Sequence, residues 1–209
     1  MWRNLFALAI IIIFWTPFRA LADISCAPTQ PLQQQNRTHM KHRTPAGTNP
    51  GVALTTVENM VAASPAAGVT VAGFRRADRP IDQRELQVVS LKGDLWQFNI
   101  EPNDCDFHLE ISGVGKTANE DRVIVEIPQG PAFVRARNAL LQQLQAASIT
   151  LRARTHLTRP IRIQVLGYVF YDAWHFSSNN PQRGHGHGSA QVGSLWEIHP
   201  VRAIIFPQS

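Results

Sequence analysis

The chain has 209 residues, a formal net charge of +5, 44% hydrophobic and 17% charged residues, and two cysteines. That size allows one ordinary domain with terminal extensions, and the composition excludes collagen-like, disulfide-framework and highly charged disordered chains. The basic excess is too small and too scattered for a dedicated nucleic-acid binder, whose cations gather in a dense stripe.

The opening stretch, MWRNLFALAIIIIFWTPFRALA, sets one basic residue before an unbroken apolar run from Leu5 to Trp15 and ends on small residues around Ala20 and Ala22. This is the pattern of a signal peptide over residues 1–22, with cleavage expected after Ala22. The run is too short to span a bilayer comfortably, and no later stretch is apolar enough to serve. The chain is therefore expected to be periplasmic or extracellular, with no transmembrane segment after cleavage. Losing Arg3 and Arg19 and no acid takes the charge from +5 to +3. In an oxidising compartment Cys26 and Cys105 are a disulfide candidate.

Residues 23–51 are rich in Gln, Pro, Thr and Asn without apolar periodicity, which predicts a flexible tail. The small basic cluster of His39, Lys41, His42 and Arg43 reads there as solvated charge. Residues 52–83 form an ambiguous lead-in, with a short helix expected over Thr55 to Ala63, capped by Thr55 or Thr56 and stopped before Pro65.

From residue 84 the pattern sharpens. Leu86 to Ile100 predicts one long strand, bent through a bulge at Gly93. Phe107, Leu109 and Ile111 alternate with His108, Glu110 and Ser112, predicting a half-buried strand with a polar face. Val123, Val125 and Ile127 predict a third strand paired to the second, ended by Pro128. Helical spacing of Phe133, Ala136, Leu140, Leu141 and Leu144 predicts a helix from Pro131 to Ala147, with Pro131 in its first turn. A fourth strand follows across Ile161, Ile163 and Val165. The last runs from Leu195 to Phe206, with Pro200 marking a bulge or an edge. Three strands, a helix and two strands is the order of an OB-like barrel, so residues 84–209 are expected to form a mainly β, five-stranded OB-like barrel with one helix between its third and fourth strands. A different α+β sheet with the same element order stays open, because order does not dictate closure.

The stretches NDCDFHLEIS, RVIVEIP, VLGYVFYDAWH and LWEIHPVRAIIF carry a D-x-H, an E-I-P, a G-x-x-F-x-D-x-x-H and an E-x-H-P-V pattern. Together they resemble a group of uncharacterised bacterial exported proteins built on an OB-like barrel. The resemblance covers roughly residues 84–206 and implies the fold; the group has no assigned activity to carry over. The loop FSSNNPQRGHGHGSAQVGS is longer here than the resemblance leads one to expect.

Three acid–histidine pairs stand out: Asp106 with His108, Asp172 with His175, and Glu197 with His199. Residues two apart on a strand share a face. If the pairs converge, their carboxylates and imidazoles, with Glu126, suit zinc or another divalent ion, and His108, Asp172, His175, Glu197 and His199 are the candidate metal ligands. The competing reading is a satisfied polar cluster that braces neighbouring strands. His185 and His187 lie between glycines that offer mobility but no scaffold, so they read as a solvated, expendable loop. Tyr168 and Phe170 share a face with Asp172 and are candidate ligand-stacking residues. Nucleic acid is a weak partner expectation, because the central strands offer only Lys92 and Arg162. No Ser–His–Asp order, P-loop or dinucleotide fingerprint is present. The expected function is thus an exported binding or accessory module for an unknown ligand or protein partner, rather than an enzyme. The alternative is a metal-dependent hydrolase of phosphodiesters, with Arg135, Arg137 or Arg154 assisting, and it requires His108, His175 and His199 to meet at one ion.

Overall fold

The computed structural model describes residues 26–29, 37–44, 51–67, 77–150, 152 and 154–207. The expected signal segment 1–22 and most of the expected tail 23–51 lie outside the described residues. Among the described residues no helix is long and apolar enough to cross a membrane.

Six strands form one mixed sheet: β1 (Val52–Thr55), β2 (Val88–Ile100), β3 (Phe107–Ser112), β4 (Arg122–Ile127), β5 (Arg154–Tyr171) and β6 (Trp196–Ile205). Their order is β1-β2-β3-β4-β6-β5, and β2 also pairs with β5, so hydrogen bonding runs in a ring through β2 to β6. Within the ring β4 and β6 are parallel and the other pairs antiparallel. The expectation of five strands and one helix is corrected in number. The lead-in supplies β1, parallel to β2, and the described α-helices are α1 (Thr38–Lys41), α2 (Val57–Ala62) and α3 (Val134–Ala146), with short 3-10 turns at Gln83–Leu86 and Ala173–His175. Thr56 caps α2, its hydroxyl accepting a hydrogen bond from the Asn59 N–H.

Alternation decides which face each side chain takes. Phe107, Leu109 and Ile111 enter the core with Val123, Val125 and Ile127, while His108 and Glu110 take the opposite face. The bulge in β2 falls at Trp96, between Leu95 and Gln97, rather than at Gly93. One extra residue flips the alternation, so Leu95 and Phe98 both reach the core while Gln97 and Asn99 join the polar face. Gly93 serves close approach instead: a Cβ there would sit 2.2 Å from Ile111 Cγ2 and 2.5 Å from the Ser112 carbonyl oxygen. Opposite β5, the register of β6 slips between Val201 and Ile198, around the cis bond between His199 and Pro200.

Helix α3 starts at Val134, and Pro131 lies in the turn before it. Phe133, Ala136, Leu140, Leu141 and Leu144 all enter the core. Arg137 is buried as well, its guanidinium 3.4 Å from the Phe107 ring centroid and donating to the carbonyls of Cys105 and Ile127. Truncating buried Leu140 or Leu144 would be felt throughout this layer, since large-to-small core changes cost about 2–5 kcal/mol.

Of the basic cluster only His39 stays exposed as solvated charge; Lys41, His42 and Arg43 are half-buried. Cys26 is bonded to Cys105 across 79 residues of sequence. Arg37, 4% exposed, reaches the paired carboxylate oxygens of Glu85, each at 2.8 Å. Arg43 donates to the Val169 carbonyl oxygen at 2.7 Å. Residues 37–44 are therefore part of the packed domain, held by charge-assisted bonds that a composition reading cannot detect.

Candidate functional site

The polar faces of β3, β4 and β6 and the end of β5 converge on a cavity of about 440 Å³. Loop 172–195 and the segment around Lys41 cover it, which is why strand residues opposite the core are themselves buried. Along its floor, and beneath it at the fully buried Asp106 and His199, runs a continuous series of carboxylates and imidazoles. His108 Nδ1 lies 3.0 Å from Glu126 Oε1, and the other oxygen of Glu126 lies 2.8 Å from His199 Nδ1. His199 Nε2 is 3.3 Å from Asp106 Oδ2, and its Nδ1 is 3.5 Å from Glu197. Glu197 is in turn 3.6 Å from His187 Nε2, whose Nδ1 is 3.2 Å from Asp172. Asp172 also accepts from His175 Nδ1.

The three expected pairs thus meet in one network, but two of them with exchanged partners. Asp106 faces His199 rather than His108, and His108 faces Glu126. Only Asp172 and His175 pair closely as neighbours in sequence, because the Asp172 carboxylate caps the turn Ala173–His175 through the Trp174 N–H at 3.0 Å. Glu197 and His199 do share a strand face, in looser contact. Among the described residues, potential ligand atoms within 4.8 Å of one another form two sets, Asp172–His175–His187 and Asp106–Glu126–His199. His108, His175 and His199 therefore do not meet at one ion, and the ligand set expected for a single-ion hydrolase does not assemble.

Electrostatics divides the network. Burial disfavours charge on Asp172 and Glu126, yet the histidines beside them outweigh it and hold both carboxyls well below their ordinary range. Glu197 goes the other way, raised by burial and by the negative charge of Glu126. Asp104 rises to about 6, from burial and the nearby Asp106. His199 is wholly buried, which opposes its charge, but Glu126 and Asp106 lift it well above the usual imidazole value. Lys41 is raised too: burial lowers it, and Glu126, Asp104, Asp106 and Asp172 more than reverse that. The field of the cavity favours cations.

The Gly-His loop is the largest departure from expectation. His185 is exposed, but His187 is 6% exposed and lines the cavity. The flanking glycines supply structure rather than mobility: Gly184, Gly186 and Gly188 have φ of 66°, 61° and 73°. A Cβ on Gly184 would meet the His175 carbonyl oxygen at 2.2 Å, where the His185 N–H donates at 2.9 Å. Beyond His187, the Ser189 N–H and hydroxyl both donate to Glu110, a fully buried carboxylate that also accepts from Gln97 and Arg122. Gly184→Ala is expected to cost about 1–3 kcal/mol, from strain at positive φ. Thermal unfolding checks it, and faster proteolytic cutting between residues 176 and 195 should accompany the loss. An unchanged melting temperature would mean that the loop is not held as described.

Aromatic rings expected to face a ligand are covered by the chain's own guanidinium groups. Arg43 lies 4.4 Å above the Tyr168 ring and Arg37 lies 4.7 Å from that of Phe170, which also contacts His199. Such contacts stabilise a ring face and occupy it. Tyr168 does not line the cavity, Phe170 does, and Trp174, 41% exposed, is the open aromatic at its rim. Arg137 is buried in the α3 layer and does not line the cavity, whereas Arg154 does and Arg135 is exposed. Sequence reasoning missed His187, Glu110, Gln97 and Lys41. The usable signal was Gln97 and Glu110, polar residues inside otherwise apolar strands, which need buried partners.

No protein-family model matches this chain, and no curated protein matches it significantly.

Proposed function

We propose that the protein is an exported, OB-like binding module that holds a small cationic ligand in the acidic cavity. The observation that carries this reading is the charge of the lining: the carboxylates of Glu101, Asp104, Glu126, Asp172 and Glu197 outnumber Arg37, Lys41, Arg154 and the His108 imidazolium by five to four. Arg37 is already neutralised by Glu85. The elevated Lys41 ammonium, 3.6 Å from Asp104, is the chain's own example of the charge the cavity stabilises.

Taken as an OB-like barrel, the ring from β2 to β6 would have the cavity over its second and third strands and beneath the loops joining strands one to two and four to five, the region such barrels use for ligands, and this supports the reading. Those loops here carry Glu101 and Asp104 on one side and His175 and His187 on the other. The Cys26–Cys105 bridge is consistent with an oxidising compartment.

A thermal-shift series tests the reading. At a hundredfold excess over its dissociation constant, a cation such as spermidine should stabilise by about 2.7 kcal/mol, or roughly 5–10 °C in a domain of this size. Acetate and inorganic phosphate should not, and Glu101→Gln combined with Asp104→Asn should shrink the cation effect. An equal response to phosphate, or no response to any cation, refutes the assignment.

A further inference from the structure

The structure assigns a specific occupant to one wall of this cavity: we propose that Asp172, His175 and His187 bind a divalent transition-metal ion of the zinc type, with Glu197 orienting His187. The proposal rests on the reading of the cavity as a cation site and names its ligand chemistry. It replaces the ligand set expected from sequence, bringing in His187 from the Gly-His loop and leaving His108 and His199 outside.

Three observations carry it. The donor atoms of Asp172, His175 and His187 lie within 4.8 Å of one another, and one carboxylate with two imidazoles is a donor set that zinc accepts. The His187 side chain is 2% exposed, and its Nε2 has no hydrogen-bond partner. Its two nitrogens face two different carboxylates, Asp172 at 3.2 Å from Nδ1 and Glu197 at 3.6 Å from Nε2.

A neutral imidazole has one N–H and one lone pair, so unless the ring takes a second proton or meets a metal ion, one nitrogen of His187 turns its lone pair toward a carboxylate. A metal ion between Nδ1 and Asp172 resolves that conflict. It assigns the proton to Nε2, facing Glu197, which is the carboxylate–histidine–metal arrangement that orients metal-bound imidazoles. The ligands are also held from behind. The second oxygen of Asp172 is tied to the Trp174 N–H, and the backbone of His175 to that of His185. Protein donors at three positions leave further coordination to face the cavity, as in sites where zinc keeps an exchangeable water.

The other set, Asp106–Glu126–His199, is not assigned an ion. All three residues are buried, and a doubly protonated His199 between Glu126 and Asp106 accounts for the charge there.

The test is calorimetric titration of the full exported chain, purified without a histidine tag, with zinc chloride against a competing chelator. Cobalt(II) absorption serves as a second readout of ligation. One zinc per chain is expected. His175→Ala and His187→Ala should each weaken binding by about 100-fold or more, and Glu197→Gln by about 10–100-fold, the range for partners that orient a ligand. His185→Ala should change it by less than about twofold, since an exposed neighbour adds no supported ligand. His187→Gln, which fills the same space without an imidazole, guards against misfolding of the alanine variant, with circular dichroism and the disulfide as checks.

Zinc retained by both His175→Ala and His187→Ala but lost in His199→Ala would place the ion in the buried set and overturn the proposal. Absence of zinc binding in a chain that spermidine still stabilises would overturn it while leaving the cation cavity standing. Failure of both ligands would remove both readings.

Discussion

Replacing Glu85 with alanine is expected to destabilise the protein by about 3–5 kcal/mol, the cost of leaving one member of a buried ion pair without its partner. Glu85 is fully buried and accepts four hydrogen bonds: two from Arg37 and one from the Ile81 N–H at 2.8 Å, and one from the Tyr171 N–H at 2.9 Å. Alanine would strand both the guanidinium and two backbone donors. The Arg37 side chain is 3% exposed, so water cannot replace what is lost unless residues 37–44 leave the domain. That departure would also remove Lys41 from the cavity wall. At about 2–4 °C per kcal/mol for a chain of this size, the thermal midpoint should fall by roughly 6–20 °C. Arg37→Met together with Glu85→Leu should recover only the part due to the unpaired charge, because an apolar pair leaves no buried charge but still leaves the Ile81 and Tyr171 N–H groups without an acceptor. A loss below about 1 kcal/mol in the single variant would show that this pair does not hold the segment.

Stability should also decline on both sides of a mildly acidic optimum. Burial opposes the charge of His108, but Glu110, Glu126 and Glu101 outweigh it and raise the imidazole to about 10. A folded-state value above the ordinary 6.5 means that its contribution is complete below pH 6.5 and is lost as pH climbs from there toward 10. His199, raised by Glu126 and Asp106 against its own burial, acts in the same direction. Glu110 has the opposite sign. It is held at about 2 despite burial, by His108 and by the Ser189 donors, so its contribution is present above the ordinary 4.5 and disappears as pH falls toward 2. Asp104, raised from 3.8 to about 6, takes stability away as pH rises through that interval. The alkaline limb should amount to a few kcal/mol in total, since each tenfold gain in proton affinity on folding is worth about 1.4 kcal/mol. Urea unfolding at stepped pH measures it. His108→Gln should flatten the slope above pH 6.5, and a slope of undiminished steepness would rule out His108 as a source.

Much of the ring was legible because its strands alternate cleanly. Phe107 to Ser112 and Arg122 to Ile127 carry one face of apolar residues each, and the stripe of α3 repeats at helical spacing. What the pattern concealed depended on single residues. The extra residue at Trp96 reverses the faces of everything after it in β2, and an alternation rule applied without that bulge sends Gln97 and Asn99 to the wrong side. The candidate site was legible in its residue types and in their meeting, but not in who faces whom. Pairing along a strand suggests Asp106 with His108, while the sheet register sets His108 opposite Glu126. Glycines beside His185 and His187 look like freedom. Only the positive φ angles and the close backbone of His175 reveal them as the residues that let the loop lie flat and carry His187 inward.

The separation of Arg37 from its partners bears on how the molecule is made. Glu85 follows it by 48 residues and the Tyr171 carbonyl by 134. A chain synthesised from its N-terminus therefore presents this cation long before anything exists to receive it, and contacts so distant in sequence are slow to form. Lys41, four residues on, waits with it. The cavity is thus completed by joining the part of the described chain made nearly first to strands made last, and a nascent or truncated product ending before β5 carries Arg37 and Lys41 but lacks Asp172 and Glu197, two of the acids they face.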